Sequence, residues 1–181
     1  STVRFSNSDS TLADLIAFKL ATRPALADVA LTNTPARADT LLTVIGRGLD
    51  RGTETSWMGI SGWNWAASRA MRWGTNEISS VDKLALDTHA FEIAFDDIPN
   101  PPTGRHEADV VSGDSGGGAF SGTGPSAELV GIIFARKSYV GQPASVSLHG
   151  NIGLIVDLYA YRDDILAVVD RPDCNDGLDE D

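Results

Sequence analysis

Residues 110–120 read VVSGDSGGGAF, which sets Ser115 among glycines and directly after an acid. A serine hydroxyl is a weak nucleophile until a neighbouring base takes its proton. Gly113 and Gly116 let the chain approach a substrate closely and adopt backbone conformations closed to other residues. The amides of Gly113 and Ser115 are therefore candidate donors to the oxyanion of a tetrahedral intermediate, an oxyanion hole. The chemistry suggested is acyl transfer, which leaves open which histidine serves as base and whether it is one of the chain's three, His89, His106 and His149.

Three other readings share the glycines. The G-x-S-x-G elbow of α/β-hydrolases needs a helix after the serine, then an acid and a histidine in that order. Here GGAFSGTGPSAELVGII follows, poor in helix formers, and the order offered is His149 then Asp157. That esterase reading fails on both counts. A phosphate-binding glycine loop lacks its lysine and the helix N-terminus behind it. A plain structural turn stays open.

Something must hold this loop, and the rest of the chain indicates what. Short apolar runs broken by Gly, Pro, Asn and Asp recur: TVRF, DLIAFKL, TLLTVIGRG, FEIAFDDI, AELVGIIFA and NIGLIVDLY. That rhythm predicts an all-β barrel or sandwich, and 18 glycines suit its many tight turns. ADVALTNTPARAD reads as a connecting loop. The segment 51–80 carries all four tryptophans, which lack a shared period and read as packing residues. One helix is expected near the end, where Leu158, Tyr161, Ile165 and Val168 form an apolar stripe.

The chain of 181 residues has room for one sizeable core or one and a half small barrels. Its formal charge of −11 argues against nucleic acid or anionic lipid as partner. No apolar run approaches the ~20 residues of a spanning helix. The one cysteine, Cys174, allows no disulfide within the chain, and no Cys/His set has zinc spacing. The tail DCNDGLDED has an incomplete calcium-loop pattern and reads as a solvated acidic tail.

Taken together, GDSGGGAF, ELVGIIFA and NIGLIVDLYAYRDDIL resemble the C-terminal half of the chymotrypsin/trypsin-like serine endopeptidase family. Upstream, TLADLIAFKLATRPAL resembles that family's segment around the triad aspartate, and TLLTVIGRGL the first strand of its second barrel. RWGTNEIS and HEADVVSGDSGGGAF are similar to disulfide-free bacterial members. The resemblance spans roughly residues 3 to 169. It implies a chymotrypsin-like double β-barrel in five parts. Residues 1–22 would be a remnant of an incomplete first barrel, 23–40 the inter-barrel linker and 41–157 the complete second barrel. Residues 158–169 would form the C-terminal helix and 170–181 the acidic tail.

The resemblance also assigns residues. Ser115 would be the nucleophile, and Asp14 the carboxylate that orients the base and stabilises its imidazolium. Asp114 would take no part in catalysis but shape the oxyanion loop, pairing with a newly released N-terminus; a turn acid bonding local amides is the alternative. Asp109, six residues before Ser115, would lie at the floor of the substrate pocket and favour Arg or Lys side chains. Two departures weigh on that preference. Phe134 stands where a serine normally supports the aspartate. Arg136 stands where a glycine normally keeps the pocket open, so it would neutralise Asp109 or obstruct the pocket.

In the family the histidine precedes the aspartate, whereas all three histidines here follow Asp14. The base is therefore expected upstream of Ser1, with most of the first barrel. The 181 residues alone are expected to have little peptidase activity and to expose the inner face of an incomplete barrel. The implied partners are a protein or peptide substrate, and the upstream segment or another chain completing the barrel. No metal or other cofactor is implied, and the implied location is secreted or periplasmic. A different class of function is a silent homologue serving as a protein-binding module.

Overall fold

The computed structural model describes residues 2–97 and 106–169; Cys174 and the acidic tail lie outside them. The fold is mostly β. The hairpin of β1 (Thr2–Ser6) and β2 (Leu12–Phe18) stands as a separate two-stranded sheet. After β3 (Ala30–Leu31) come β4 (Leu41–Gly46), β5 (Leu49–Trp57), β6 (Ile60–Arg69), β7 (Arg72–Ala85) and β8 (Thr88–Ala94). Then follow β9 (Gly118–Ser121), β10 (Glu128–Lys137), β11 (Val146–Leu148), β12 (Ile152–Asp157) and α1 (Arg162–Val169).

Six strands close an antiparallel barrel in the order β12-β8-β7-β4-β9-β10, with β10 pairing back onto β12. Strand β3 adds two residues in parallel to β10, within the segment expected as linker. Strands β11-β6-β5 form a further sheet, whose Trp63 packs on Phe95 just past β8 with ring centroids 5.7 Å apart. The tryptophan-rich segment thus builds a hairpin, turning at Met58 and Gly59, both at positive φ.

Alternation explains the layers, since successive strand side chains face opposite ways. Leu42 and Val44 of β4 point into the barrel and meet Ile78, Phe91, Ile93 and Ile155. Ala13 and Leu15 of β2 are buried with Phe5, Val156, Leu158 and Tyr161 in a second cluster outside the barrel wall. Tyr161 stitches the hairpin down: its hydroxyl donates to Asn7 Oδ1 at 2.8 Å and accepts from the His89 amide at 2.8 Å. The other face of β2 carries Leu12, Ile16 and Phe18, each more than half exposed.

The expected apolar stripe does pack together, with Ile165 and Val168 joining Leu158 and Tyr161. The helix itself begins only at Arg162. Asp157 Oδ1 accepts the Tyr159 amide at 3.0 Å, and that side-chain turn holds Leu158–Tyr161 out of helical form.

Candidate functional site

Ser115 sits on a loop tied at both sides. The Gly116 amide donates to Ile133 O and the Ile133 amide to Gly117 O, each at 2.8 Å, fixing the loop on β10. Gly113 and Gly116 have φ of 99° and 85°, a region that favours glycine. The Asp114 carboxylate faces away from Ser115. Its Oδ1 accepts from the Gly48 amide at 2.6 Å and its Oδ2 from the Val111 amide at 2.9 Å. Its partners are thus backbone amides, one nearby and one 66 residues away.

That bond explains the GRG turn after β4. A Cβ on Gly48 would lie 2.6 Å from both Asp114 carboxylate oxygens and from Val111 Cγ2, and one on Gly46 would also strike the carboxylate. Gly48→Ala is expected to push Asp114 off its amides and cost about 1–3 kcal/mol. Thermal unfolding reads the loss, and a parallel change in Ser115 reactivity would show that the turn positions the loop. An unchanged Tm would sink this account.

Ser115 is exposed, and its hydroxyl makes no hydrogen bond among the described residues; nor do the amides of Gly113 and Ser115. None of the three histidines bonds it. His89 lies on β8 against Tyr161, ring centroids 5.8 Å apart. His106 meets Trp73 edge-on at 5.2 Å. His149 packs between Trp63 and Phe95, with Nδ1 3.8 Å from Asp97. Asp14 lies on the solvent face of β2, opposite the face that packs on the barrel, and its amide donates to Thr88 Oγ1 at 2.8 Å. The described residues thus contain no Ser–His–Asp hydrogen-bonded chain.

Asp109 and Arg136 do come together. Arg136 Nη2 lies 3.3 Å from Asp109 Oδ2, with side chains 15% and 6% exposed. The guanidinium also donates to Asn151 Oδ1 and stacks 5.0 Å above the Trp65 ring centroid. Asn151, almost fully buried, takes further donors from the Leu148 amide and Gln142. Burial pushes the Asp109 carboxyl above its ordinary range, offset in part by Arg136, Ser147 and the Val110 amide. Arg136 thereby occupies the acid that was expected to greet a basic substrate. Phe134 is not beside this pair. It packs in the second cluster, on the side of β10 that faces the hairpin.

A cavity of about 590 Å³ adjoins the loop, with Val111 and Asp114 in its lining. Asp109, Gly48, Trp63, Phe95 and His149 are also among the residues that line it; Ser115 is not. Among the described residues no cluster of His, Cys, Asp and Glu could hold a metal ion, and no helix is long and apolar enough to cross a membrane. Sequence reasoning missed Asn151 as a hub and Arg69, whose guanidinium lies against Gly113. Arg69 carries no local signal, because Gly113 lies 44 residues away in sequence, whereas the Leu148 and Gln142 partners of Asn151 lie within nine residues of it. No family model and no curated protein matches this chain.

Proposed function

We propose that the chain is the Ser115-bearing part of a serine endopeptidase with a chymotrypsin-like double β-barrel. The closed barrel would be the second of the two and the β1–β2 hairpin part of the first. The observation that carries the reading is the Ser115 hydroxyl, exposed and without a hydrogen bond among the described residues, on a loop whose own Gly113 and Ser115 amides have no acceptor among them. Asp114 supports it by tying that loop to the Gly48 and Val111 amides.

In the proposed reaction a histidine from an upstream segment takes the Ser115 proton as Oγ attacks the peptide carbonyl. The oxyanion draws on the two amides. Collapse breaks the C–N bond, the histidine's proton leaves with the amine, and water then hydrolyses the ester. Asp14 would orient the base, a role that rests on ADLIAFKL alone. Its solvent-facing carboxylate and the exposed Leu12, Ile16 and Phe18 mark the side on which the rest of the first barrel would pack. Secretion or a periplasmic location is part of the same proposal.

A second reading, a silent homologue that binds protein, is favoured by the Arg136–Asp109 closure. An active-site phosphonate separates the two when applied to this chain and to one extended upstream. Labelling of Ser115 in the extended chain alone is the peptidase result. No labelling of either leaves the binding module.

A further inference from the structure

Strand β6 ends at Arg69, whose register partner across the hairpin is Leu49. The Leu49 amide donates to Ser112 O at 3.1 Å, so the hairpin's open end is sewn to the residue before Gly113. Arg69 is brought against the loop by this stitch. A Cβ on Gly113 would lie 2.5 Å from Nη1 and 3.1 Å from Cζ of Arg69, so the guanidinium rests directly against the glycine.

Arg69 is exposed and has no ion pair among the described residues, although acids outnumber bases 25 to 14. The acids close by are engaged: Asp50 holds Arg72 at 2.6 Å, and Asp114 holds two amides. Arg47, exposed in the turn that Asp114 grips, has no ion pair among the described residues either. A guanidinium without an ion pair among the described residues thus lies against Gly113, two residues before Ser115, in a loop whose two amides and hydroxyl have no partner among those residues. A planar fork of N–H donors matches a carboxylate bidentately. The net charge of −11 does not oppose this at contact range, since exposed charges beyond about 8 Å are screened at physiological salt.

We propose that Arg69 makes the Ser115 loop a site for acidic peptides, holding a carboxylate of the ligand beside the carbonyl that the Gly113 and Ser115 amides face. The carboxylate belongs either to an Asp or Glu side chain or to a chain terminus. The proposal rests on the reading of Ser115 as the group that meets substrate, but carboxylate binding needs no base and is measurable on this chain as it stands.

The test is a titration followed by the amide NMR signals of Gly113 and Ser115. The probes are acetyl-Ala-Ala-Glu-amide, acetyl-Ala-Ala-Ala with a free C-terminus, acetyl-Ala-Ala-Gln-amide and inorganic phosphate. One or both charged peptides should shift these signals saturably, and the one that does identifies the carboxylate's source. The Gln peptide should bind at least about tenfold more weakly, as should the charged ones to Arg69→Gln. Raising salt should weaken binding to the native chain, a reading independent of whether the variant folds. Equal binding of the Gln peptide, no effect of Arg69→Gln, or shifts with phosphate alone would overturn the proposal. Carboxylate binding without phosphonate labelling of an extended chain would sink the peptidase reading alone. Labelling without carboxylate binding would sink this inference alone.

Discussion

Replacing Ser115 by alanine, in a polypeptide that joins these residues to an upstream segment carrying a histidine, is expected to lower kcat by about 10⁴- to 10⁶-fold. The range is large because the hydroxyl would supply the covalent route, whereas the Gly113 and Ser115 amides would survive and keep a residual rate. Asp14→Asn in the same polypeptide should cost on the order of 10⁴-fold in kcat, by leaving the base in the wrong tautomer. KM should move little in both, since neither side chain would hold the ground-state substrate. Steady-state hydrolysis of a chromogenic peptide measures all three forms. An Ser115→Ala form within tenfold of its parent would dispose of the nucleophile. The 181 residues by themselves should turn over slowly, because His89, His106 and His149 all have other neighbours and none bonds Ser115. An ordinary rate from them alone would mean that the base had been sought in the wrong place.

What the sequence disclosed depended on range. Alternation in TLLTV and ADLIA is local, and Leu42, Val44, Ala13 and Leu15 are buried accordingly. The positive φ at Gly113 and Gly116 likewise follows from a loop that other residues would strain. Strand β10 was harder. Its register shifts against β9 between Leu129 and Gly131, and against β12 between Ile133 and Ala135. A period of two cannot assign faces across such shifts. Val130 and Ile133 both enter the barrel, while Ile132 and Phe134 both face the hairpin, and Phe134 thereby leaves the expected pocket. Contacts between distant segments, such as Asp114 with Gly48 or Arg136 with Asn151, had no local pattern to betray them.

The second large effect concerns stability. Arg136→Ala is expected to cost about 3–5 kcal/mol at neutral pH, the usual consequence of leaving one member of a buried pair alone. Asp109 supplies a signature that ordinary loss of packing lacks. Its folded carboxyl binds its proton more tightly than an unfolded one, chiefly through burial. Its contribution is therefore most favourable at pH below the ordinary 3.8 and declines as pH rises through the raised folded value. Removing Arg136 removes the charge that opposes this shift, so the pKa climbs further and the decline extends to higher pH. Measured against the native chain at each pH, the deficit of Arg136→Ala should shrink on acidification, as Asp109 becomes neutral. Asp109→Ala should behave differently. It strands a guanidinium that does not titrate in this range, so its deficit should not shrink on acidification. Exchanging both residues for apolar ones of similar volume should recover most of the loss, since the pair's attraction does little more than offset its desolvation. Denaturant unfolding of the variants at pH 4.5 and pH 7 makes the comparison. Equal deficits of Arg136→Ala at both would mean that Arg136 contributes by packing on Trp65 rather than by balancing a buried acid.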